Sequence, residues 1–235
     1  MRLQVFLSHN GVCSRRKALE LIFQGHVAVN GRIMTEPSAD VDPGRDKISV
    51  NGREIETKAY TYILLNKPSG YVTTKEDRFA AQTVFDLLPP VMRHLAPVGR
   101  LDKDTEGLLL LTNDGDLAYQ LTHPKFQIKK VYFVRIEGKL DLEKKRKLEQ
   151  GILLDDQKTA PAGVEQIKYG KNQTEFYLTI HEGRKRQIRR MLAKIGHAVV
   201  YLKRVAQGPL QLGNLKSGQW RLLNERELEG LRNRR

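Results

Sequence analysis

The chain has 235 residues, 40% of them hydrophobic, and 41 Lys and Arg against 27 Asp and Glu give a net charge of +14. That length builds one large domain or a small one beside a larger one, and the cationic surplus points to a polyanionic partner, either nucleic acid or an anionic membrane surface. No run of eighteen apolar residues is present to span a bilayer. Cys13 stands alone, which excludes an internal disulfide and a cysteine-built zinc site.

The opening stretch "MRLQVFLSHNG" lacks the long apolar segment and small-residue cleavage site of a secretory signal. With a single cysteine, a reducing cytoplasm is expected. Residues 2–9 alternate in a helix-compatible way. Ser14 is placed to cap a helix over "RRKALELIFQG" that Gly25 ends, with Leu19, Ile22 and Phe23 on its apolar face and Ala18 beside them. Arg15, Arg16 and Lys17 crowd the first turn, where the helix dipole disfavours cations. A phosphate bound there would relieve the conflict, so Ser14, Arg15, Arg16 and Lys17 are candidate phosphate contacts. Asn30-Gly31 and Asn51-Gly52 each predict a tight hairpin. Residues 1 to about 56 thus read as a compact basic unit of two helices and short strands.

"ETKAY" is a linker. "YTYILLNKPSGYVTT" predicts two strands around a Lys-Pro-Ser-Gly turn, and "TVFDLLP" a short helix or turn. In "GRLDKDTEGLLLLTNDGD", Asp102, Asp104, Glu106 and Gly107 match the first half of a calcium loop, but Leu110 and Asn113 stand where its later ligands belong, so the metal reading fails. Leu108 to Leu111 predicts a buried strand, and Asp114 a cap for a helix over 115–122. The six histidines show no ligand spacing, and no Gly-rich dinucleotide or Walker loop occurs. "KKVYFVRIEG" predicts a strand, "DLEKKRKLEQG" a helix closed by Gly151, "GVEQIKYGKNQTEFYLTIHEG" a hairpin, "RKRQIRRMLAKIG" a helix and "HAVVYLKRVAQGPLQLG" strands again. The tail "NERELEGLRNRR" predicts a capped helix with a basic end. Strands dominate with helices laid on them, so the class is α+β.

The densest basic stretch is "GRKRQIRRM", with Arg184, Lys185, Arg186, Arg189 and Arg190 in seven positions. Ile188, Met191, Leu192 and Ile195 form a buried helical stripe. Arg189 borders that stripe and Arg190 points away from it. Arg184, Arg186 and Arg190 are candidate phosphate contacts.

These segments together resemble the bacterial pseudouridine synthases of the RsuA/RluB type. "SRRKALELIFQGHVAVNGRI" resembles an S4 RNA-binding domain. "LLNKPSGYVTT", "GRLDKDTEGLLLLTNDGDLA", "KVYFVRIEG" and "HEGRKRQIRRML" resemble successive motifs of the catalytic domain. The Gly-Arg-Leu-Asp stretch with its following Thr-x-Gly-Leu-Leu run is highly specific, the S4 motif moderately so. The resemblance implies a small N-terminal S4-type unit over 1–58 and, over 59–235, a catalytic domain on a mainly antiparallel mixed sheet with flanking helices. It implies Asp102 as the catalytic aspartate and Tyr132 as the active-site tyrosine. Arg189 would be the arginine that pairs with Asp102, and Arg100 a contact to the flipped nucleotide. It implies a monomer that needs no cofactor and acts on ribosomal RNA, or on a pre-ribosomal particle. Large-subunit (23S) RNA is preferred over small-subunit (16S) RNA. Asp104 and Glu106 are expected as solvated loop acids or turn-holding partners, and Lys67 as fold support. The rival class is a non-catalytic S4-type assembly factor, against which the intact Asp102, Tyr132 and Arg189 set weighs. A membrane-surface role rests on charge alone, without a basic amphipathic anchor or lipidation signal.

Overall fold

A computed structural model describes residues 1–75 and 82–233; the last two arginines of the basic tail lie outside them. The N-terminal unit begins with helix α1 (Leu3–His9) and helix α2 (Arg15–Phe23), the latter capped by Ser14 Oγ accepting the Lys17 N–H. Strands β1 (Val27–Val29), β2 (Arg32–Met34), β3 (Ile48–Val50) and β4 (Arg53–Glu54) form a sheet of order β2-β1-β3-β4. Both Asn-Gly pairs sit at hairpin turns with positive φ at both residues, 51° and 80° at Asn30-Gly31 and 50° and 76° at Asn51-Gly52. Asn and Gly tolerate the left-handed region that such turns require. Leu3, Phe6, Leu7, Ala18, Ile22, Val27 and Ile48 close a core drawn from this unit alone. Phe23 departs from the expected apolar face and is 65% exposed. The buried residues of α2 are Ala18 and Ile22, one turn apart.

The remainder folds around a nine-stranded sheet. Its strands, in chain order, are β5 (Tyr62–Lys67), β6 (Ala96–Pro97), β7 (Glu106–Thr112), β8 (Lys130–Glu137), then, after a separate two-stranded ribbon of β9 (Leu153–Leu154) and β10 (Gln157–Lys158), β11 (Gly163–Tyr169), β12 (Gln173–Ile180), β13 (Val199–Gln207), β14 (Leu210–Gln211) and β15 (Trp220–Leu222). The main path runs β11-β12-β8-β13-β7-β5-β15, with β14 on β13 and β6 on β7. All these pairings are antiparallel except β13 with β7, which gives the mixed α+β architecture. That parallel seam passes through Gly107, where a Cβ would lie 2.2 Å from the Arg204 carbonyl oxygen. Only a residue without a side chain permits the approach.

Helices α3 (Gly115–Thr122), α4 (Leu142–Gln150), α5 (Gln187–Lys194) and α6 (Glu225–Arg232) lie on the sheet. Asp114, Asp141 and Asn224 cap α3, α4 and α6 through side-chain oxygens. Apolar side chains fill both faces of the sheet, so Leu108 to Leu111 are fully buried. Such a strand carries a continuous apolar run instead of alternation. Two expectations fail. The segment after the Lys-Pro-Ser-Gly turn makes only an isolated bridge, Val72 with Thr83, and no second strand. Helix α5 begins at Gln187, because Arg186 has φ 51° and ψ 32°, outside helical geometry. Arg184, Lys185 and Arg186 therefore belong to a loop.

A candidate active site between two loops

The loop entering β7 carries Asp102 and is pinned from beneath on both sides of it. Before Asp102, Thr73 Oγ1 donates to the Leu101 carbonyl (2.9 Å) and accepts the Leu101 N–H (3.3 Å). After it, the Gly70 N–H donates to the Lys103 carbonyl (2.8 Å). Lys67 Nζ donates to the carbonyls of Pro68 (3.0 Å), Lys103 (3.2 Å) and Thr105 (2.8 Å). Lys67 is fully buried. Burial pushes its ammonium down to about 8, against the opposing pull of Asp104, Glu106 and Asp102. Lys67 supports the fold instead of meeting solvent, in line with the sequence reading.

A turn closed by the Thr105 N–H to the Asp102 carbonyl (3.1 Å) sends the loop's carboxylates different ways. Asp102 faces a cleft of about 460 Å³, whose walls include Arg100, Leu101, Thr105, Tyr132, Ile180, Arg184, Arg186, Ile188 and Leu202. Asp104 turns to α5 and to the loop before it. The Arg186 guanidinium grips it in a fork, Nη1 to Oδ1 at 3.0 Å and Nη2 to Oδ2 at 3.1 Å, a directional and strong arrangement. Arg189 Nε lies 3.2 Å from Asp104 Oδ2 in an ion-pair contact without hydrogen-bond alignment. Its Nη2 donates to the Asp104 carbonyl (2.9 Å) and its Nη1 to the Val199 carbonyl (3.2 Å). Burial raises the Asp104 carboxyl, but the Arg186 hydrogen bonds and the charges of Arg189 and Arg186 outweigh it and leave the group below its ordinary range. Glu106 accepts the Tyr201 hydroxyl at 2.8 Å, and burial and that carboxylate push the phenol up to about 12.

The expected pairing of Arg189 with Asp102 is therefore corrected: Arg189 meets Asp104, two residues further along the loop. The helical phasing itself holds. Ile188, Met191 and Leu192 are buried. The Arg189 side chain is 15% exposed against 35% for Arg190, which turns outward and pairs with Asp155.

Tyr132, on β8 between Leu178 of β12 and Arg204 of β13, is 8% exposed and forms part of the cleft wall. The cleft thus unites Asp102, Tyr132, Arg100, Arg184 and Arg186, while Arg189 and Arg190 stay outside it. Arg184 is held across the ribbon by the carbonyls of Gln157 and Lys158, each at 3.0 Å. Gln187 ties its loop through Glu182 Oε1 (2.7 Å) and the Arg184 N–H (3.0 Å). Ser14, Arg15, Arg16 and Lys17 lie exposed on the N-terminal unit. Ser14 is used as a cap, and Lys17 pairs with Glu20 at 2.7 Å. Arg15 reaches the start of α3, where a Cβ on Gly115 would lie 2.3 Å from its Nη2.

Two buried cations escaped the sequence reading. Arg204 donates through Nε to the Leu108 carbonyl (2.7 Å), and Lys130 to the Ile128 carbonyl (3.1 Å). Lys130 is pushed down to about 8, chiefly by burial and then by Arg204. Period-2 spacing with Tyr132 and Leu202 was their signal, masked by their charge. Among the described residues no group of three or more His, Cys, Asp or Glu gathers around a point. The acids of the Asp102 loop diverge, Asp104 toward arginines and Glu106 toward a tyrosine.

Residues 61–194 match the RNA pseudouridylate synthase family and residues 1–47 the S4 domain. A Bacillus subtilis protein named ribosomal large subunit pseudouridine synthase B is 46% identical over 233 residues, spanning 98% of this chain and 95% of that one. An RNA pseudouridine synthase of Aquifex aeolicus is 41% identical over 232 residues, spanning 98% and 93%. A crystal structure of a pseudouridylate synthase superposes with a TM-score of 0.70 at 32% identity, covering 98% of this chain and 99% of that one. The chain belongs to the RNA pseudouridine synthases that carry an N-terminal S4 domain.

Proposed function

We propose that this enzyme isomerises uridine in ribosomal RNA, specifically 23S RNA or a pre-ribosomal particle containing it, in the cytoplasm and as a monomer. The Bacillus subtilis relative named for the large subunit supports the RNA class, and the net charge of +14 suits a polyanionic substrate. Residues 1–58 bind RNA without chemistry, and residues 59–235 carry the reaction.

The observation that carries this reading is Asp102 facing the cleft on a loop pinned on both sides, with Tyr132 in the wall. A uridine must leave its stack to enter such a cleft. Asp102 then acts as the carboxylate that attacks or ion-pairs with the nucleotide while the bond from N1 to the ribose breaks. The base turns and rejoins the sugar through C5, which gives up its proton while the released N1 takes one up. A carboxylate suits this because it can form an ester-like bond and leave again. The Tyr132 ring packs against the base and its hydroxyl assists a proton transfer. Arg100 and Arg184 meet phosphates at the rim, and Arg186, whose fork holds Asp104, has only its remaining N–H groups to offer one. Arg189 acts one step back, as a positioning residue that holds Asp104 and through it the Asp102 loop. Arg190 contributes outside the cleft, to RNA affinity.

The test is to map pseudouridines in ribosomal RNA from cells lacking the protein, complemented with wild type or with Asp102→Asn. Loss of a 23S pseudouridine that wild type restores and Asp102→Asn does not is the expected result. A missing 16S site would move the target to the small subunit. Unchanged maps would contradict the ribosomal assignment.

A further inference from the structure

Helix α3 connects the two cationic features of the surface. Its first residue, Gly115, lies against the Arg15 guanidinium of the N-terminal unit, and its last, Thr122, is part of the cleft rim beside Gly99 and Arg100. The distance between those ends is about 10 Å at 1.5 Å per residue. The segment that follows stays exposed through Gln127, whose carbonyl lies 3.0 Å from His181 Nδ1 at the start of the arginine-bearing loop. One RNA strand lying along this ridge would touch the basic start of α2 and reach the cleft rim.

The ridge carries an open aromatic cluster. Tyr119 is 47% and Phe126 39% exposed. Their ring centroids are 5.8 Å apart, edge to face, and His123 sits 4.8 Å from Tyr119 and 6.3 Å from Phe126. Lys125 Nζ hovers over both rings, 5.2 Å from Tyr119 and 4.7 Å from Phe126. Exposed aromatic faces with an interleaved cation are the composition of a base-stacking platform.

We propose that Tyr119, His123 and Phe126, with Lys125, form a stacking site for an unpaired base of the substrate strand adjoining the flipped uridine. The site rests on the reading of this chain as an enzyme that binds RNA. It engages any base through its π face, while Lys125 swings from the rings to a neighbouring phosphate. The platform therefore adds affinity and register for single-stranded RNA next to the target, without reading its sequence.

The probes are a ten-nucleotide oligouridylate and an abasic ribose-phosphate chain of the same length and charge, bound to the full chain carrying Asp102→Asn so that turnover cannot intervene. Tyr119→Ala with Phe126→Ala should weaken oligouridylate binding at least about fivefold, the lower bound for losing one base–aromatic stack, and leave the abasic chain unaffected. Tyr119→Leu with Phe126→Leu keeps the apolar packing and should show the same loss, and Tyr119→Trp with Phe126→Trp should restore it. Equal losses on both probes, no loss on either, or rescue by leucine would overturn the platform. Binding is read without catalysis, so failure of the ribosomal-RNA assignment in the mapping experiment is a separate result.

Discussion

The N-terminal basic cluster and the cleft use similar residues in opposite ways. Arg15, Arg16 and Lys17 are consecutive, exposed and supported by one helix cap. Arg186 and Arg189 come from a different segment than Asp104 and are locked to it across more than eighty positions of sequence. The first arrangement is local and can attract phosphate with little preorganisation. The second fixes a loop, and a carboxylate two residues away, before any substrate arrives. Charge that binds can remain loosely held, whereas charge that positions reacting groups must already be satisfied within the protein.

Four changes would break or sharpen that contrast. Of these four, Arg189 should show the largest effect, because substitution by Ala removes the link between α5 and the Asp102 loop. Single-turnover rates at saturating enzyme should fall about 100-fold, roughly 2.7 kcal/mol in the barrier. Arg190→Ala, which frees only the exposed Asp155, should keep the rate and weaken RNA binding in low salt. If Arg190→Ala is the slow variant, the positioning role belongs to it instead.

Lys67→Met should cost stability first. Three carbonyls lose a buried donor, for about 2–4 kcal/mol in chemical denaturation. A change below 0.5 kcal/mol, within the range of ordinary surface substitutions, would mean that the loop is held without it.

The smallest effect on chemistry is expected from the local cluster. Replacing Arg15, Arg16 and Lys17 together by Ala should weaken RNA binding about tenfold and flatten its salt dependence by up to about three units of slope, at roughly 0.7–0.9 per phosphate contact. The single-turnover rate should hold once enzyme saturates the RNA. An unchanged salt slope would show that these side chains serve the contact with α3 and their own helix.

How legible each region was follows from the same difference. Both Asn-Gly hairpins and the caps at Ser14 and Asp114 were readable because the side chain and the backbone it satisfies are within a few residues. The cleft's members Asp102 and Tyr132 were reached through family motifs, and their convergence is a property of the sheet. Less could be read where the partner is distant. The choice of Asp104 over Asp102 as the partner of Arg189 depends on which way a four-residue turn points its carboxylates. The late start of α5 depends on a left-handed Arg186 that no propensity favours. Phe23 fitted a helical face on paper, but the fully buried positions of α2 are Ala18 and Ile22.

The sharpest test sets two neighbouring acids side by side. Asp102→Asn and Asp104→Asn are near-isosteric, and each removes one charge from the same loop. Measured as single-turnover isomerisation at saturating enzyme, Asp102→Asn should give no detectable product while binding RNA within about threefold of wild type. Asp104→Asn should retain measurable turnover, reduced about tenfold (~1.4 kcal/mol) by looser seating of Arg186 and Arg189. Product from Asp102→Asn, or an Asp104→Asn protein as inactive as Asp102→Asn, would contradict the assignment of chemistry to the first acid and positioning to the second.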